Sequence, residues 1–244
     1  MNRFAKCIQF QLKSMAISTL VYTAIYYVAC ILLFTIVSIS IDTSDSSNSI
    51  SSGFYIGSAI FAMIYVMSNY RTNFNYLMIF GNSRKNIFFS FAVTALVMSA
   101  ALSLISVLTQ WFEEVVLPTP AFGASISLLK LAYGNTNIAL EFLYYSALFI
   151  LICSFAMLYS SLAYKLGKVF ITVFWVVFGL SFIILPMSAG LNTPFASFIL
   201  NALIAFFRIG TSNGILLAPV NFIIASVLFA AITYLLSRRQ PQTA

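Results

Sequence analysis

The sequence predicts an all-α integral membrane protein of six transmembrane helices, and three observations carry that expectation. Of its 244 residues, 61% are hydrophobic and only 7% charged, too little polar surface to coat a soluble globule of that size, so lipid must solvate it. The apolar residues gather in runs that meet the roughly 20 residues a helix needs to cross a bilayer. The charges sort by sign: the five acidic residues, Asp42, Asp45, Glu113, Glu114 and Glu141, fall at one set of run ends, and ten of the twelve Lys and Arg fall at the other.

The spans are expected near 15 to 39, 52 to 69, 87 to 109, 141 to 163, 167 to 186 and 216 to 236. Arg3, Lys6 and Lys13 precede the first; Arg71, Arg84 and Lys85 join the second and third; Lys165 and Lys168 join the fourth and fifth; Arg238 and Arg239 follow the sixth. The positive-inside rule places these bases in the cytoplasm, and an even number of spans returns both termini there. The net charge of +7 therefore reports orientation. The bases come in ones and twos and form no stripe that would track nucleic acid. The apolar stretch behind the first three bases exceeds the about 7 to 15 residues of a signal-peptide core, so it reads as a retained anchor. Cys7, Cys30 and Cys153 form no readable disulfide framework.

Between the spans, four stretches have their own character within a single domain, 1–244. In residues 1–14, Phe4, Ile8 and Leu12 share a face that continues to Met15, with Arg3, Lys6, Gln9 and Lys13 around the rest, which predicts an interfacial helix. The polar run 42–49 is an exposed external turn. Residues 110–140 form a larger external segment, with Trp111 at the boundary, Glu113 and Glu114 as an acidic rim, and Pro118 and Pro120 preventing a continuous helix. In 187–215, Thr193 is placed to cap a helix from Pro194 to about Arg208, with Gly210 as its stop. Residues 194–208 give only about 22 Å of helix against a hydrocarbon core of roughly 30 Å. That length predicts a short re-entrant or surface-lying external helix between spans 5 and 6, since re-entrant backbone is tolerated where protein covers it. Lys130 and Arg208, the two bases outside the cytoplasmic set, fall in these external segments.

Several function classes drop out. The sequence has no histidine, which removes histidine-dependent catalysis, and Glu113-Glu114, without the Arg and His that paired-glutamate membrane proteases need, is a rim. The nearest fragment to a phosphate-binding loop, Gly167-Lys168-Val169, lacks the first glycine and the hydroxyl. No charge stands at mid-span to relay protons or couple to ions, and no internal repeat supports alternating access. Energy for any transport must come from another chain.

The most informative local stretch is 70–82. Phe74, Leu77 and Met78 make an i, i+3, i+4 stripe with Arg71, Asn73 and Asn75 on other faces. Gly81 is the expected helix stop, and Asn82 or Ser83 the cap of the next helix. Arg84 and Lys85 then occupy a first turn, where the helix dipole disfavours cations, so orientation or an acidic partner must hold them.

The run Phe80-Gly-Asn-Ser-Arg-Lys-Asn-Ile-Phe behind this turn resembles the cytoplasmic coupling segment of ABC-2-type exporter membrane subunits, especially small bacterial permeases for peptides and antimicrobials such as phenol-soluble modulins. The layout is similar over almost the whole chain: interfacial N-terminal helix, six spans, coupling helix between spans 2 and 3, and a short external helix between spans 5 and 6. The resemblance implies that Asn73 to Phe80 form a docking helix, with Phe74, Leu77 and Met78 as apolar anchors. Asn75, Tyr76 and Gly81 would complete that surface, and Arg71, Arg84 and Lys85 would pair with acidic groups or anionic lipid. It also implies two copies of a separate ATPase subunit that hold the ATP and magnesium, leaving no cofactor in this chain. A second permease copy, forming a homodimer, and an amphipathic or hydrophobic peptide cargo leaving through a bacterial plasma membrane complete the picture. Two other readings share these residues. The stripe could pack against the chain's own helix ends, and a non-transporting immunity or scaffold protein that binds a toxin or partner has the same composition.

Overall fold

The computed structural model describes residues 3–40, 54–116, 129, 133, 137–190, 194–209 and 213–238. Among them it forms helices and no strand. In chain order these are α1 (Arg3–Ser40), α2 (Phe54–Ile79), α3 (Arg84–Val116), α4 (Ile138–Leu166), α5 (Lys168–Gly190), α6 (Pro194–Phe207) and α7 (Gly214–Arg238). Three segments are long and apolar enough to cross a membrane: Arg84–Trp111, Ile138–Leu166 and Gly214–Arg238.

Helix α4 is the hub. It packs most extensively on α7 and broadly on α3 and α2, whereas α5 touches little besides α4 and α6. The sequence explains the close α4–α7 seam. On α7 the buried positions Gly214, Ala218, Phe222 and Ser226 recur every four residues, with Pro219 beside them and Thr233 and Ser237 two turns further on, and most are small. On α4, Ala147, Ser154 and Ala156 are also buried, while Ser160 and Ser161 turn toward α2. Small side chains let helix backbones approach where lipid-like surroundings offer no hydrophobic drive between helices. Hydroxyls join α4 to its other two neighbours: Ser103 of α3 donates to the Phe142 carbonyl at 2.7 Å, and Ser161 donates to the Tyr70 hydroxyl of α2 at 2.9 Å.

Several expected boundaries move. Residues 3–14 do not form a helix of their own; they are the first turns of a 38-residue helix with no Gly or Pro to break it. Within that stretch Cys7, Gln11 and Met15 face the bundle and Phe4, Ile8 and Leu12 are half-buried; burial pushes the Cys7 thiol up from its usual value. The predicted coupling helix is likewise not a discrete element, because α2 continues unbroken through Ile79. At the other end α3 runs on to Val116, past the expected start of the 110–140 segment. Helices α4 and α5 are joined by Gly167 alone, whose φ of 74° suits glycine.

The short helix expected near 194–208 is present as α6, but the chain turns at Arg208, which takes the left-handed conformation with φ 54°. Ile209 N–H reaches back to the Ile204 carbonyl at 3.2 Å, the long bond of a Schellman stop. Helix α6 is held to its neighbours through its last carbonyls: Asn221 donates to Phe206 O at 2.9 Å, and the Tyr133 hydroxyl donates to Phe207 O. Phe206 and Phe207 lie 5.4 and 5.3 Å from the Phe222 ring, so the end of α6 packs against α7, while Phe198 and residues 201–205 are exposed. The 42–49 turn, Thr193, Gly210, Lys130, Pro118 and Pro120 lie outside the described residues.

Candidate docking surface

Contacts between helix ends gather the bases at one end of the bundle. Phe10 of α1 stacks on Tyr76 of α2 at 5.4 Å. Arg71 of α2 lies 5.5 Å over the ring of Tyr164 in α4. Arg84 of α3 donates to the Arg238 carbonyl of α7 at 2.9 Å. With Gly167 turning the chain between Lys165 and Lys168, the basic residues within the described helices meet here, except Arg208. At the opposite end Gln110 donates to Glu141 at 3.4 Å, and Glu141 is only 3% exposed. A carboxylate in the first turn of α4 suits the positive end of the helix dipole.

The turn that separates α2 from α3 is built by local chemistry. Gly81 has φ 72°; its N–H bonds Met78 O at 2.9 Å, and Asn82 N–H bonds Leu77 O at 3.2 Å. These are the two bonds of a Schellman motif. The Asn82 side chain adds a third bond to Leu77 O at 3.1 Å, and Ser83 Oγ accepts from Asn86 N–H at 3.3 Å, capping α3.

Against this frame the expected docking residues divide. Phe74 and Leu77 are 2% and 5% exposed, so the anticipated anchors face the chain's own core. Phe74 packs on Tyr70 and Tyr164, and Met78 lies half-buried against the same core. Asn73 is buried. Asn75 accepts from the Tyr164 hydroxyl at 3.0 Å, so Arg71, Phe74 and Asn75 all fasten α2 to the end of α4. Arg84 is likewise engaged internally. Its guanidinium reaches the carbonyl end of α7, where a dipole favours a cation, which offsets the unfavourable position at the start of α3. Arg238 in turn sits 5.5 Å over Tyr234, whose ring is 5.2 Å from Phe88.

What remains outward is different. Tyr76, Ile79 and Phe80 are 45%, 82% and 61% exposed, with Tyr76 and Phe80 rings 4.6 Å apart, and Phe10 of α1, 41% exposed, extends the patch. Gly81 and Lys85 are exposed beside it. Ile79 and Phe10 were missed as contributors. Ile79 was readable, because 76, 79 and 80 repeat the same i, i+3, i+4 spacing as 74, 77 and 78; Phe10 is brought there only by the tertiary fold.

Among the described residues, fold and site together define an all-helical protein with three helices long and apolar enough to cross a membrane, and a basic end that carries an exposed aromatic and aliphatic knob. No family model, curated protein or solved structure matches this chain.

Proposed function

We propose that the chain is the membrane-spanning permease subunit of an ATP-driven exporter of amphipathic or hydrophobic peptides, with six spans and the basic end in the cytoplasm. The observation that carries the reading is the knob of Tyr76, Ile79 and Phe80, presented at the tip of α2 beside Lys85. An exposed apolar cluster rimmed by bases is the surface a partner with an apolar pocket and acidic edge would bind. The partner in this reading is a pair of ATPase subunits that hold ATP and magnesium. A second copy of this chain would complete the transporter. Arg71, Phe74, Asn75 and Arg84 then serve as the rigid mount that joins the tip of α2 to α4 and α3 to α7, so that a push on the knob would move the bundle.

The test is purification from native membranes of the wild-type protein and of an Ile79→Asp, Phe80→Asp variant. The expected result is an ATPase at matching stoichiometry with the wild type, and a folded, monodisperse variant that has lost it. A wild-type protein recovered with no such partner contradicts the proposal and favours the immunity or scaffold alternative.

A further inference from the structure

Between Cys7 and Met15, the inner face of α1 carries a polar residue. Gln11 is 1% exposed, and one end of its side-chain amide lies 3.2 Å from Thr94 Oγ1 on α3. The other end has no hydrogen-bond partner among the described residues. It borders a cavity of about 20 Å³ enclosed between α1, α2, α3 and α4, whose lining includes Asn69, Asn73, Thr94 and Met157. A buried amide end left unmatched forfeits its hydration with nothing in return, so something must answer it.

The identity of the unmatched end depends on the single proton of Thr94. That hydroxyl also lies 2.9 Å from the Ser90 carbonyl of its own helix. If the proton goes to Ser90, Thr94 accepts from the Gln11 N–H and the Gln11 oxygen faces the cavity. If it goes to Gln11, the amide N–H group faces the cavity. A ligand must therefore donate or accept as required, fit about 20 Å³, and find further polar partners. Asn69, whose amide nitrogen is held by the Tyr65 carbonyl at 3.0 Å, and Asn73 supply them. A cation would satisfy only the first arrangement, and an apolar guest neither. A water molecule satisfies both, and a cavity of this size holds one.

We propose that this pocket is a binding site for one ordered water, which joins α1 to α2 and α3 near the basic end. The site stands on its own geometry, independent of what docks at the tip. Helix α1 is then attached at this level through an exchangeable hydrogen-bonded joint instead of dry packing.

The experiment is a structure of the full chain in lipid nanodiscs at a resolution that shows ordered water, for the wild type and for Gln11→Met, which keeps the side chain's shape without its polar ends. One peak within hydrogen-bonding distance of the Gln11 amide and of Asn69, Asn73 or Thr94 is expected in the wild type, and its loss in Gln11→Met. A wild-type pocket with no peak overturns the proposal whatever the variant does, and a peak that persists unchanged in Gln11→Met overturns the role of Gln11.

Discussion

The last two turns of α2 present two apolar faces of similar make-up and opposite fate. Phe74, Leu77 and Met78 look inward, against Tyr70, Tyr164 and the rest of the core. Tyr76, Ile79 and Phe80 look outward, and Ile79 is among the most exposed large apolar side chains described. Spacing alone gives both faces equal standing, since each is an i, i+3, i+4 stripe. What separates them is what lies opposite: the end of α4 covers one, and Phe10 of α1 reaches toward the other, which stays largely exposed. An apolar face therefore becomes informative about partners only after the chain's own helices have claimed what they need.

The contrast is broken most severely from the inside. Phe74→Ala is expected to destabilise the protein by about 3 to 5 kcal/mol, the usual cost of emptying a buried aromatic site. Phe80→Ala should stay within about 0.5 kcal/mol, as surface changes do. Thermal unfolding followed by size-exclusion chromatography in detergent separates the two, and equal shifts would mean that the faces are not distinct. A double substitution at Phe74 and Leu77, an obvious way to probe docking from sequence alone, would confuse misfolding with lost association.

The turn that sets the knob's position should respond next. At Gly81 φ is positive and a Cβ would meet nothing within 4 Å, so Gly81→Val is expected to cost about 1 to 2 kcal/mol from backbone strain alone. Gly81→Asn should cost less, because asparagine tolerates the left-handed region. Comparable losses for both in the same thermal assay would point to a packing role. A more local effect belongs to Arg84→Met, which removes the hydrogen bond to the Arg238 carbonyl. About 1 kcal/mol is expected, seen as faster hydrogen exchange in the last turn of α7 with the rest of the bundle unchanged.

How much of this the residues disclosed depends on the range of the interaction. The stop at Gly81 and the cap at Ser83 were legible, because both act over three to five residues with chemistry written in place. The short helix α6 was legible from its length and proline start, although its stop uses Arg208. The continuous 38-residue α1 was obscured by the bases near its start, which mark orientation without breaking a helix. Hydropathy could not distinguish α4 from α5, adjacent apolar helices of which one is the hub and the other exposed over most of its described length. The interior roles of Arg71, Asn75 and Arg84 were illegible for the same reason: their partners, Tyr164 and Arg238, lie roughly 90 to 150 residues away.

The most direct test places single cysteines at 74, 77, 79 and 80 in a background without native cysteines and applies a short thiol-to-amine cross-linker in native membranes. Cross-links from 79 and 80 to an ATPase subunit, with none from 74 and 77, are the predicted result. Cross-linking to that subunit from 74 and 77, or from none of the four positions, would contradict the assignment of the outward face of α2 as the docking surface.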